Sequence, residues 1–134
     1  MSKPRILIVG GGYAGFYTAK KLEKFLRAGE AEVALVDPLP YMTYQPFLPE
    51  VAAGSIEARH AVVSLRRHLT KTNVIAGKVV KVNHAKKIAT IEVEGLPAYD
   101  WHYDHIVMTA GAVSRTFPIP GVADQAIGLK TIEE

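Results

Sequence analysis

Arg5-Ile6-Leu7-Ile8-Val9-Gly10-Gly11-Gly12-Tyr13-Ala14-Gly15 decides how the rest of the chain is read. Its first half, RILIV, is a short apolar run rich in β-branched residues that stops at three glycines, the pattern of a central parallel strand buried on both faces. From Ala14 the spacing changes. Ala14, Thr18, Leu22 and Phe25 or Leu26 recur every three to four residues, with Lys20, Lys21, Lys24 and Arg27 between them. That spacing predicts an amphipathic helix ending near Gly29. Residues 32–37 (EVALVD) read as a second buried strand, stopped by Pro38 and Pro40. The opening is therefore β-α-β.

The turn between strand and helix satisfies G-x-G-x-x-G, and its place between a predicted strand and a predicted helix gives the string its weight. Gly10 permits the tight turn. Gly12 lets the backbone approach a pyrophosphate that any Cβ would obstruct, and Gly15 lets the helix pack closely on the strand. The helix N-terminus, with Gly11, Tyr13 and Ala14 in the same turn, directs N–H groups at the phosphates. That attraction is worth about 0.3 to 1 kcal/mol, or up to about 2 in buried geometry. Asp37 follows Gly15 by about 20 positions, at the end of the second strand, where an acid meets ribose hydroxyls and disfavours a 2′-phosphate. Strand, helix and acid together define a dinucleotide site, without distinguishing FAD from NAD.

Beyond Asp37, residues 38–54 (PLPYMTYQPFLPEVAAG) form a long connection without a period of either kind, and long irregular loops in compact domains tend to be functional. Residues 60–69 (HAVVSLRRHL) read as a short helix and 73–76 (NVIA) as a third parallel strand. Then the β-α alternation stops. Residues 78–82, 88–93 and 99–103 are short β-type runs separated by turn-like NHAKK and EGLP, a three-stranded antiparallel meander in place of a crossover helix. Residues 105–109 (HIVMT) return as a buried strand and run into Ala110-Gly111 and a Pro-rich segment. Thr131 followed by Ile132, Glu133 and Glu134 has the signature of a helix start.

Composition sets the outer limits. With 134 residues, 49 % of them hydrophobic and 22 % charged, the chain suits one globular domain or part of one. A net charge of +3 is too small and too dispersed to argue for nucleic acid. The absence of cysteine excludes a disulfide scaffold, a thiolate zinc site and a thiol redox cycle within these residues. The start MSKPRILIVGGG lacks a signal peptide's cleavage site, and no stretch approaches the roughly 18 apolar residues of a membrane-spanning helix. Arg59, His60, Arg66, Arg67 and His68 read as a solvated basic face. His102 and His105 read as structural histidines, and Trp101 and Tyr103 as packing the meander on the main sheet.

The order GGGYAG, strand-end acid, meander, apolar strand closing in TAGA and then PIPG resembles the FAD domain of the large flavoprotein family that includes glutathione reductase. Tyr44-Gln45-Pro46-Phe47-Leu48-Pro49 followed by Val51-Ala52-Ala53-Gly54 is similar to the loop beside the flavin ring in type II NADH:quinone oxidoreductases. The disulfide reductases and sulfide:quinone oxidoreductases of that family depend on redox cysteines, which this stretch lacks. The resemblance implies a Rossmann-like α/β domain, a parallel sheet carrying the meander, with all of 1–134 being the N-terminal portion of an FAD-binding domain. It implies that Gly10, Gly11, Gly12, Tyr13, Ala14 and Gly15 hold the pyrophosphate. Asp37 and Pro38 then sit at the adenosine ribose, Val79 meets the adenine through its backbone, and Gln45 and Gly111 approach the flavin.

The activity implied is electron transfer from NADH through bound FAD to a quinone. The NADH domain and the membrane-facing C-terminal region would lie beyond Glu134, so the chain would not turn over NADH alone. The location implied is cytoplasmic, peripheral at the membrane, with homodimerisation left open. Two other readings stand beside this one. An FAD-dependent NAD(P)H reductase would use a protein or oxygen as acceptor, and a non-catalytic dinucleotide-binding module would be a sensor.

Overall fold

The computed structural model describes residues 3–134. Met1 and Ser2, part of the start read as lacking a signal peptide, lie outside the described residues. In chain order the elements are β1 (Arg5–Val9), α1 (Tyr13–Phe25), β2 (Glu32–Asp37), β3 (Tyr41–Thr43), α2 (Leu48–Ala52), β4 (Val62–Ser64) and α3 (Leu65–His68). They continue with β5 (Asn73–Ala76), β6 (Lys78–Asn83), β7 (Ile88–Glu92), β8 (Tyr99–His102), β9 (His105–Met108) and α4 (Val122–Gln125). The chain divides into two compact units, Met1–Met42 with Ser64–Ala110, and Thr43–Val63 with Gly111–Glu134.

The first unit is built on a four-stranded sheet in the order β5-β2-β1-β9. Every pairing in it is parallel, with Leu7 level with Ala34 on one side and Ile106 on the other. Successive strand residues face opposite ways. Leu7 and Val9 of β1, with Ala34 and Val36 of β2, therefore share one face, and they form a core with Ala89, Ile91, Trp101 and Tyr103 from the meander region. Ile8 and Leu35, both fully buried, point to the other face, and α1 lies against β1 and β2. Each such large apolar side chain contributes roughly 1.5 to 3 kcal/mol through burial.

The meander is the expected one: β6, β7 and β8 form an antiparallel sheet that stands in the connection from β5 to β9. In β7 the buried Ala89 and Ile91 alternate with the more open Ile88, Thr90 and Glu92, which is how a sheet with one covered face reads. Arg5 ties this layer to β1. Its guanidinium stands 3.9 Å over the Trp101 ring, its Nε donates to Glu32 at 2.9 Å, and its backbone N–H donates to the Asp104 carboxylate at 2.6 Å.

Several local readings change. The helix α1 forms, but its buried residues are Gly15, Phe16 and Ala19; of the expected stripe, Ala14 and Phe25 are exposed and Thr18, Leu22 and Leu26 are half-buried. Small residues are needed where a helix approaches a sheet closely, and Phe25 is left exposed with the Lys21 ammonium 5.8 Å over its ring. Residues 60–69 do not make one helix. A 3-10 turn (Ala58–Ala61) leads into β4, whose β-branched valines favour extended backbone, and Ser64 then restarts a helix as N-cap of α3, its Oγ accepting from the Arg67 N–H at 3.4 Å. β9 is partly open rather than buried, with Met108 59 % exposed, because it is the end strand of the sheet among the described residues.

In the second unit the loop read as aperiodic holds a 3-10 turn (Gln45–Phe47) running into α2. Leu48 and Ala61 are buried, Tyr44 and Phe47 meet edge to face at 4.8 Å, and the Tyr44 N–H donates to the Ala61 carbonyl at 2.7 Å. The Lys130 ammonium donates to the Ala112 carbonyl. Thr131 begins no helix; the Glu134 carboxylate instead accepts from the N–H groups of Lys130 and Thr131. β3 and β4 pair as a two-stranded sheet.

Candidate dinucleotide site

At the end of β1 the Gly10 N–H still donates to the Val36 carbonyl, at 2.8 Å, so the turn starts from a fixed point in the sheet. Gly10 itself has φ +101°, a left-handed conformation that side chains resist. A Cβ there would also strike the Thr109 carbonyl group. Gly15 is buried in the first turn of α1, where a Cβ would overlap the Gly10 carbonyl oxygen and come within 2.8 Å of the Thr109 hydroxyl. Gly11 is hemmed in by Leu65, whose Cδ1 would be 2.7 Å from a Cβ. These three glycines answer to the packing of the protein itself.

Gly12 does not. It is the N-cap of the 13-residue α1, in extended backbone with φ −72°, and a Cβ there would meet nothing within 4 Å. No side chain caps the helix, and no acid stands in its first turn to oppose an anion. The fold leaves an open approach to the positive end of a helix and keeps it clear of side chains. A diphosphate fits that cradle, and a Cβ at Gly12 would intrude on it.

Asp37 closes one side. Its Oδ2 accepts from the Gly11 N–H at 2.6 Å and its Oδ1 from the Leu39 N–H at 2.8 Å, while its own carbonyl accepts from Gly77 at 3.0 Å. Thr109, directly after β9, closes the other side, its Oγ1 lying 2.8 Å from the Val9 carbonyl and 3.1 Å from that of Gly10. Beyond Asp37 a cleft of about 690 Å³ opens between Pro38, Ala76, Gly77 and Lys78 on one side and residues 92–94, Leu96 and Ala98 on the other. That is within the size range of small-molecule and cofactor sites.

The first unit thus brings together Gly10 to Gly15, Asp37 and Pro38. Val79 lies on β6, the edge strand of the meander, paired with Ile91 just before a register shift. Its side chain packs toward the core and it does not line the cleft. Gln45 and Gly111 belong to the second unit. Gln45 opens the 3-10 turn with its Nε2 3.5 Å from the Lys130 carbonyl, and Gly111 has φ +71° with open space at its Cα. The role of the Thr109 hydroxyl was missed in the sequence; a threonine ending the strand beside β1 was the available signal.

The basic cluster is divided between the Ala58–Ala61 turn and α3, and Arg59 pairs with Glu57 at 2.6 Å. His68 is not simply solvated, since its ring stands edge to face with Phe16 at 6.3 Å. Among the described residues no group of three His, Cys, Asp or Glu could hold a metal, and no helix is long and apolar enough to cross a membrane.

A parallel sheet whose first strand enters a helix through a glycine turn, with an acid ending the second strand and a meander before the fourth, defines a Rossmann-like dinucleotide-binding domain. Residues 4–134 match the pyridine nucleotide-disulphide oxidoreductase family, and the chain belongs to it. It is 31 % identical over 141 residues to the external alternative NAD(P)H-ubiquinone oxidoreductase B2, mitochondrial, of Arabidopsis thaliana, covering 98 % of this chain and 24 % of the relative. It is 32 % identical over 133 residues to a type II NADH:quinone oxidoreductase of Staphylococcus aureus, covering 97 % of this chain and 32 % of that one. Among solved structures, NDH2 from Plasmodium falciparum in complex with NADH superposes with a TM-score of 0.85 at 26 % identity, over 98 % of this chain and 27 % of that one. The chain spans about a quarter to a third of the length of these relatives.

Proposed function

We propose that this chain is the FAD-binding portion of a flavoprotein that takes electrons from NADH and delivers them to a quinone. The observation that carries the reading is the side-chain-free approach at Gly12 to the uncapped N-terminus of α1, with Asp37 beside it. In this reading the turn from Gly10 to Gly15 holds the diphosphate, through backbone N–H groups from Gly12 to Gly15 and the helix dipole. Asp37 and Pro38 take the adenosine ribose, its hydroxyls donating to the free lone pairs of the carboxylate. The Val79 backbone meets the adenine, and Gln45 and Gly111 face the flavin. When bound, FAD supplies the hydride-accepting and electron-passing chemistry, while the protein supplies binding, orientation and electrostatics.

The meander in place of a crossover helix, which resembles the FAD domain of the glutathione reductase family, favours FAD over NAD at this site. The proposal extends to NADH as donor, a quinone as acceptor, a peripheral seat at the cytoplasmic face of a membrane, and a homodimer. The test is to purify the product of the complete gene, identify the released flavin and follow NADH oxidation with a soluble quinone, with oxygen and with a carrier protein as acceptors. One FAD per chain and quinone-dependent turnover are expected. Flavin with turnover on oxygen or protein alone would replace the acceptor, and a colourless protein would remove the FAD assignment.

A further inference from the structure

We infer that Thr109 and Asp37 are paired positioning residues that lock the peptide unit between Gly10 and Gly11 and so aim the amides of the diphosphate loop. The inference rests on the dinucleotide site proposed above. A peptide unit is planar, with its C=O and N–H pointing to opposite sides. In this one the N–H donates to Asp37 Oδ2 at 2.6 Å, and the C=O lies 3.1 Å from Thr109 Oγ1. Asp37 ends β2 and Thr109 follows β9, the two strands that flank β1. The unit is therefore held from both neighbours of the strand it leaves.

The need for such a grip follows from composition. Gly10, Gly11 and Gly12 in succession make the most flexible joint the chain possesses, and a rotation of the Gly10–Gly11 plane would redirect every N–H that follows it. Gly10 at φ +101° offers little resistance of its own. The same carbonyl also seats the helix: the Cα of Gly15 packs so closely on the Gly10 carbonyl and the Thr109 hydroxyl that neither leaves room for a Cβ. The Thr109 proton, shared between the Val9 and Gly10 carbonyls, thus links the end of β9 to the N-terminus of α1.

The experiment compares the wild-type protein as encoded with Thr109→Ala, Thr109→Val, Thr109→Ser, Asp37→Asn and the Thr109→Ala/Asp37→Asn double variant. FAD affinity is measured by titrating flavin-stripped protein, and thermal unfolding of the stripped forms is measured in parallel. Loss of one such hydrogen bond predicts affinity lower by roughly 5- to 10-fold in Thr109→Ala. Thr109→Ser restores it to within about twofold, because the hydroxyl returns. Thr109→Val, whose methyl cannot donate, behaves like Thr109→Ala and covers the case in which the alanine variant unfolds. The double variant loses less than the product of the two single losses, since both changes weaken the hold on the same peptide. Unchanged affinity in both Thr109→Ala and Thr109→Val, failure of Thr109→Ser to rescue, or simple multiplication of the losses would overturn the pairing while leaving the site intact. Wild-type protein that binds no FAD would overturn the site and the pairing with it.

Discussion

Replacing Gly12 by valine separates binding from folding more cleanly than any other change in the loop. The backbone there is extended, which a β-branched residue accepts, and the new Cβ meets nothing within 4 Å. Exchanging glycine for an apolar residue at an N-cap costs the fold roughly 0.5 to 1 kcal/mol, a shift of a few degrees in Tm. The cost to binding is far larger. A side chain in the cradle displaces the diphosphate from at least two amide donors, each worth about 1.5 to 3 kcal/mol to a charged acceptor, and from the helix terminus, worth about 0.3 to 2. Together these make about 3 to 8 kcal/mol, or on the order of a few hundredfold to several hundred thousandfold in FAD affinity. Gly15→Ala is the contrasting variant, because its Cβ overlaps the Gly10 carbonyl and it should lose flavin and stability together. The assay is the ratio of flavin to protein after purification, beside the thermal transition of the stripped protein. A Gly12→Val protein that retains stoichiometric FAD would refute the cradle.

Two further substitutions test the packing that carries the site. Trp101→Ala removes a side chain that is 6 % exposed, lies in the core shared with Leu7 and Val9, and has Arg5 stacked on it. It should cost about 3 to 5 kcal/mol in urea denaturation followed by circular dichroism, and a loss under 1 kcal/mol would show that the meander does not brace β1. Glu23→Ala strips the acceptor shared by the Thr72 hydroxyl and the Lys71 N–H, both at 2.8 Å, and leaves the buried Thr72 without it. A loss of roughly 1 to 2 kcal/mol is expected, with Glu23→Gln recovering about half of it; equal losses in the two variants would count against the hydrogen bonds as the cause.

The β-α-β opening, the third parallel strand and the meander were legible because each announces itself by a local period, bounded by glycine or proline. What escaped depends on neighbours rather than on period. Apolar spacing pointed to Ala14, Thr18, Leu22 and Phe25 or Leu26 as the inner stripe of α1, but the buried residues are Gly15, Phe16 and Ala19, two of them small enough for a close approach to the sheet. β9 has the composition of a buried strand, and only the sheet order reveals that it stands at an end. Thr131 and Glu134 carry a helix-start pattern, and the carboxylate does reach back to the Thr131 N–H at 3.1 Å, yet a capping contact alone does not propagate a helix.

The candidate site shows the same division more sharply. Read as a motif, G-x-G-x-x-G already separates a turn glycine, a glycine for phosphate approach and a glycine for helix packing. In the folded chain Gly10 and Gly15 are required by the protein's own backbone, one by its positive φ and both by the crowding around the Gly10 and Thr109 carbonyls. Among the described residues nothing lies within 4 Å of a Cβ placed at Gly12. In the proposed function, that open space at the uncapped end of α1 is where the diphosphate sits. The argument for a ligand therefore rests on Gly12 alone of the three, and the other two would be glycines in a chain of this fold whether or not it bound anything.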